Sequence, residues 1–139
     1  PTFISDLRAE KFISKIGKSK SILLYTKKYP YRRIDARIDK NMFIGNNVVT
    51  TAILCAIYMG YNKINLLGTD YNAFCNQGNG HAYDDNDEVS QTNYNLAFYL
   101  KFYWITTEIH YLVAKFALKR KVRIVNACKK SLLDAYPRV

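Results

Sequence analysis

The residues able to do chemistry gather between Gly60 and Asp87, in GYNKINLLGTDYNAFCNQGNGHAYDDND, where an apolar run passes into a polar loop. Asp70 could orient a base, hold a ribose hydroxyl or ligate a metal, or only tie down its own loop through backbone hydrogen bonds. His81 stands in the glycine-bearing stretch QGNGHAYDD, and an imidazole that titrates near neutrality suits general acid–base work. Tyr83 offers a hydroxyl to a phosphate. Asp84, Asp85 and Asp87 could collect a divalent cation or be a solvated charge cluster, and they lack the full twelve-residue calcium-loop spacing. The GNG at Gly78 to Gly80 neither follows a strand directly nor opens an apolar helix, so it is no dinucleotide signature. Upstream, Gly45, Asn46 and Asn47 precede an apolar run. A helix start there offers unpaired N–H groups and the positive end of a dipole to an anion, or it is a plain cap. His110 falls among aromatics in a helical pattern and reads as packing.

These residues need elements to position them. Val48 to Met59 is an apolar run opened by Asn and closed by Gly60, which predicts a helix, apolar on nearly all sides and buried against a sheet. Lys63 to Leu67 predicts a buried parallel strand, so that Asp70 and Tyr71 sit just past its carboxyl end, where open α/β sheets bind ligands. Asn93 to Arg120 predicts a long helix, continuous or broken once near Thr106 and Thr107, Val122 to Val125 a last strand, and Ser131 to Tyr136 a closing turn or short helix. Near the start, Leu7, Phe12, Ile13 and Ile16 have helical spacing from Asp6 to Ile16, with Ser5 as cap, and Ser21 to Tyr25 predicts a strand. Lys27 to Lys40, basic and carrying Pro30, predicts a loop or lid. The alternation of helix and strand predicts an α/β fold, a three-layer sandwich with a mainly parallel, Rossmann-like sheet.

With 139 residues, 49% of them hydrophobic, the chain is expected to form one α/β domain over 1–139. It opens on Pro1, and the expectation is the C-terminal portion of a longer protein. Twenty-one Lys and Arg stand against eleven Asp and Glu, and eleven of the basic residues fall before position 41. Such a field favours phosphates on a nucleotide, a nucleic acid or an anionic membrane, or is simply a solvated basic surface. Cys55, Cys75 and Cys128 show no CxxC pairing, which argues against a disulfide framework or structural zinc and for a reducing cytoplasm. Cys55 belongs to the apolar run and reads as core. Lys11, Lys15 and Lys18 argue against a secretory signal. Neither apolar stretch suits a membrane span, although the Tyr, Phe and Trp of Leu96 to Ala117 leave peripheral contact with an inner membrane open.

In order, NNVVTTAILCAIYMGYNKINLLGTDYN, HAYDD and VRIVNACKKSLLDAYPRV resemble the C-terminal part of a bacterial surface-polysaccharide glycosyltransferase-like group, which includes the sialyltransferases of lipooligosaccharide synthesis and proteins with an H-F-Y-D loop. The resemblance covers about two thirds of the chain, from Asn46 onward. It implies transfer of a sugar, such as sialic acid, from a nucleotide-sugar donor to a cell-surface glycan acceptor. By that resemblance Asn46 and Asn47 would help hold the donor and Tyr71 and Tyr83 would contact its phosphate; beside them Asn72 is expected to bind substrate, and His81 with Asp70 to be catalytic. In those sialyltransferases the catalytic histidine stands just before the long helix, where this chain has Ser90, Gln91 and Thr92, so His81 follows the H-F-Y-D pattern instead. Their glycine-rich N-terminal nucleotide loop has no counterpart here. No cofactor or resident metal is implied, and the oligomeric state stays open. Two alternatives accompany this reading: a magnesium-dependent pyrophosphate transfer to a pterin, and a basic nucleic-acid-binding domain, for which no recognition helix, zinc finger or aromatic RNA-binding signature is present.

Overall fold

The computed structural model describes the backbone of Thr2–Asp6, Lys20–Leu24, Thr26–Lys27 and Met42–Phe43, and, with their side chains, residues 34–37, 47–72, 75 and 95–139. The chain is a mixed α/β protein that divides into two compact units, Pro1–Asn62 and Lys63–Val139.

In the first unit, β1 (Thr2–Asp6) pairs in parallel with β2 (Lys20–Leu24), in the register Thr2↔Lys20 to Asp6↔Leu24. The strand at β2 matches the sequence reading to within a residue. Ser5 and Asp6, by contrast, close a strand rather than opening a helix. The β-forming Thr2, Phe3 and Ile4 and the parallel partner override the local capping preference of Ser5, and residues 7–16 lie outside the described residues. A second short pair joins β3 (Thr26–Lys27) to β4 (Met42–Phe43), also parallel, so Lys27, expected to open the loop, belongs to a strand, and residues 28–33 and 38–40 lie outside the described residues. Residues 34–37 have no regular structure, as expected, and the Arg37 N–H donates to Asp35 Oδ1 at 3.1 Å in a local Asx turn.

Helix α1 (Val48–Tyr58) begins at Asn47, whose extended backbone (φ −148°, ψ 132°) and side-chain oxygen, accepting from the Val49 N–H at 2.7 Å, make it the N-cap. The β-branched residues that follow are tolerated because the Thr50 and Thr51 hydroxyls both donate to the Asn47 carbonyl, at 2.8 and 3.1 Å. At the other end the Gly60 N–H donates to the Ile57 carbonyl and the Tyr61 N–H to the Ala56 carbonyl, a Schellman closure with Gly60 at φ +89°. The helix buries Thr50, Ile53, Leu54 and Cys55 but leaves Val48 82% exposed. It therefore hides one face rather than its whole circumference.

The second unit is a βαβ arrangement. Strand β5 (Lys63–Leu66) pairs in parallel with β6 (Arg123–Asn126), from Lys63↔Arg123 to Leu66↔Asn126, and the Ala127 N–H extends the ladder to the Leu66 carbonyl at 2.9 Å. Between them lies α2 (Leu96–Lys119), capped by Asn95, whose side-chain oxygen accepts from the Phe98 N–H at 2.9 Å. Of the two forms that the sequence leaves open, the helix is the continuous one, with no break at Thr106 and Thr107. Thr106 bonds back to the carbonyls of Phe102 and Tyr103, at 2.9 and 3.2 Å, so its hydroxyl is satisfied without leaving the helix. Thr106, Ile109, His110, Val113 and Ala117 form the buried stripe of α2, at the three- and four-residue spacing of a core-facing helix, and α2 packs on β6. Ile124, Val125 and Asn126 are buried in succession, so β6 is covered on both faces. Leu66, Leu133 and Tyr136 complete this core. The segment from Ser131 to Tyr136 is a turn without a helix, and Arg138 forms a parallel bridge with Asn126.

Candidate functional site

Because β5 and β6 are parallel, the loops that follow them leave the sheet at the same end. The loop after β5 turns at Gly68 (φ +65°), buries Thr69 and exposes Asp70. It then places Tyr71 in the left-handed region, at φ +58°. That conformation costs a side-chain-bearing residue about 1–2 kcal/mol, so the surroundings must hold it.

A buried polar network does so. The Ser131 hydroxyl donates to the Thr69 carbonyl at 2.6 Å and accepts from Asn126 Nδ2 at 3.0 Å and from the Leu133 N–H at 3.1 Å. The Leu132 N–H donates to the Asp70 carbonyl at 2.9 Å, and Asn126 Oδ1 accepts from the Cys128 N–H at 3.0 Å. The two loops are thereby tied to each other at the strand ends.

Tyr71 lies half-buried, its ring edge-to-face with Tyr103 and His110 at centroid separations of 5.0 and 5.3 Å. His110 is fully buried, with Nδ1 2.9 Å from the Tyr136 hydroxyl, and its Nε2 has no hydrogen-bond partner among the described residues. Burial holds the imidazole down to a pKa of about 4, so it is neutral at physiological pH. Burial, and then the neighbouring Tyr71, push the Tyr136 phenol upward, so it stays protonated. The cluster is therefore an uncharged aromatic bed beneath the strand-end loop. A neutral imidazole and two phenols can donate or accept hydrogen bonds there without carrying charge.

Of the residues singled out in the sequence, Asp70 and Tyr71 stand at the carboxyl end of β5 as expected, Asp70 with its side chain in solvent. Asn72 follows them half-buried, its carbonyl accepting from the Cys75 N–H at 2.9 Å. Asn47 belongs to the first unit and spends its side-chain oxygen on the cap of α1. Asn46, His81, Tyr83 and the aspartates from Asp84 to Asp87 lie outside the described residues. The residues that sequence reasoning missed are Asn126, Ser131 and Tyr136. Asn126 was visible only as a polar residue ending an apolar strand, and nothing in the sequence linked Tyr136 to His110.

Cys55 is buried and its thiol is pushed up by that burial, as for a core cysteine. Among the described residues no three His, Cys, Asp or Glu side chains come together to hold a metal ion, and no helix is long and apolar enough to cross a membrane. Compared with family models, with curated proteins and with solved structures, the chain matches none of them.

Proposed function

We propose that the chain is the α/β core of a glycosyltransferase-like protein, its C-terminal portion, and that it moves a sugar from a nucleotide donor to a surface glycan. The observation that carries this reading is Tyr71, held in a strained left-handed conformation at the carboxyl end of a parallel strand, with Asp70 exposed beside it. A β6 covered on both faces supports the wider sheet of a three-layer sandwich. In this reading Tyr71, Asn72 and Tyr83 hydrogen-bond the donor, and His81 takes the proton of the acceptor hydroxyl as it attacks the sugar carbon. The nucleotide phosphate leaves with the bonding electrons, stabilised by those phenol donors, and Asp70 orients the base. Asn46 and Asn47 enter from the sequence, through the helix start they form and through the family resemblance. Contact with a membrane surface belongs to the same proposal, through the glycan acceptor.

Calorimetric titration of the full-length protein with CMP-, UDP- and GDP-sugars tests it. One donor class should bind, and Tyr71→Phe should weaken that binding. In the same protein His81→Ala should lower turnover roughly 10²–10⁴-fold at nearly unchanged donor affinity. Silence with all three donors refutes the reading.

A further inference from the structure

The second unit holds a cavity of about 520 Å³ in which none of the strand-end residues from Asp70 to Asn72 takes part. Its apolar walls are Ala114, Ala117 and Leu118 of α2, Val122 and Ile124 where the chain enters β6, and the ring of Tyr136. Leu118 stands 77% exposed at this wall. The volume lies within the range of small-molecule sites.

Charge selects the occupant. Lys115, Lys121 and Arg123 line the same cavity, and among the described residues no carboxylate does. Beside the cavity-lining Tyr111, Asp134 accepts from its hydroxyl at 2.8 Å, and Glu108 lies one turn earlier on α2. From Lys115 to Arg138 the chain carries eight basic residues against Asp134 alone. The local field is therefore strongly positive over an apolar wall.

Lys121 adds an independent sign. The Lys121 N–H donates to the Leu118 carbonyl and the Val122 N–H to the Ala117 carbonyl, both at 3.0 Å, which closes α2 in a Schellman motif. The left-handed position of that motif favours glycine, and here it holds lysine at φ +59°. A cation is kept at the cavity against the backbone preference.

We propose that this cavity binds a single-chain amphiphile with a phosphate monoester head, the aliphatic chain lying along Ala114, Ala117 and Ile124 and the head meeting Lys121, Arg123 and Lys115. Three cations suit a phosphate monoester, close to a dianion at neutral pH, better than a singly charged carboxylate. The site is independent of the transferase reading and stands or falls separately from it.

Calorimetry of the full chain with decyl phosphate, decyl maltoside, decanoate and inorganic phosphate tests the proposal. Decyl phosphate should bind at least tenfold more tightly than each of the other three, and its affinity should fall with salt. Ala114→Phe, which fills the cavity, should abolish binding. Lys121→Gly relieves the backbone, so it should raise the melting temperature while weakening decyl phosphate roughly threefold, and adding Arg123→Gln should bring the loss to about tenfold. Lys121→Gly keeps the test decisive even if Ala114→Phe does not fold. Equal affinity for decyl maltoside or for inorganic phosphate overturns the proposal, as does unchanged binding in the folded double variant or no binding by the wild type.

Discussion

Replacing His110 by phenylalanine should flatten the acid side of the stability curve. In the folded chain this imidazole is fully buried between Tyr71 and Tyr136, and burial holds its pKa down to about 4 from an ordinary 6.5. The unfolded chain therefore takes up a proton as pH falls through 6.5, whereas the folded chain does not until about 4. Across that window the unfolded state binds more protons, so stability is full above it and is lost as pH falls. Linkage makes the loss about 2 kcal/mol at pH 5 and about 3 kcal/mol at pH 4, relative to pH 7.5. That is a large part of what a small domain has to lose.

The substitution leaves the Tyr136 hydroxyl without its nitrogen partner, at a cost of about 1 kcal/mol at every pH. That offset does not change the slope. His81, the only other histidine, and the carboxylates are common to both chains and cancel in the difference. Urea midpoints followed by helical circular dichroism at pH 7.5 and pH 5 give the comparison, with the wild type losing about 2 kcal/mol more than His110→Phe. If the two chains lose stability in parallel, His110 is protonated in the folded state and the buried neutral imidazole is refuted.

Two further substitutions test the local geometry. Ser131→Ala deprives the Thr69 carbonyl, Asn126 Nδ2 and the Leu133 N–H of one partner, and should cost about 3 kcal/mol in urea unfolding; a loss below about 0.5 kcal/mol would mean that the network does not hold the loops together. Gly60→Ala meets no heavy atom within 4 Å of the added Cβ, so its cost is backbone strain alone at φ +89°, about 1–2 kcal/mol in the same assay, and a cost above about 4 kcal/mol would reveal a packing clash instead.

What the sequence made legible follows the range of the forces involved. The limits of α1 were visible because Asn47 and Gly60 act on backbone groups two to four residues away, and both do so in the structure. β5 and β6 were visible as short apolar runs between helix signals. The strand at Thr2–Asp6 was not, because its pairing with Lys20–Leu24 is made across the intervening chain while Ser5 and Asp6 send a local helix signal. Whether α2 breaks near Thr106 stays open in the sequence for a similar reason. Propensity counts threonine as a weak helix former, but its hydroxyl found the carbonyls of the preceding turn. At the site, Asp70 and Tyr71 were placed by the rule that parallel strands present ligand-binding residues at their carboxyl ends, which needs only the strand to be found. His110 and Tyr136 are 26 residues apart and meet only once α2 has packed on β6, so no spacing rule reaches them.

The positions least legible of all are the two where a side-chain-bearing residue takes a backbone shape that glycine prefers. Among the described residues these are Tyr71 and Lys121. Gly60 and Gly68 adopt the same region at no comparable cost, and Gly60 announced its turn in the sequence. A tyrosine and a lysine announce nothing, since neither is a turn former. Both positions would be more stable as glycine if the turn were their whole task. Tyr71 sits at the strand end with its ring on His110, and Lys121 sits at the cation-lined cavity. If the two proposals hold, the strain is retained where a tyrosine and a lysine stand at the places proposed to take a ligand, and side-chain chemistry rather than the turn would account for the choice of residue.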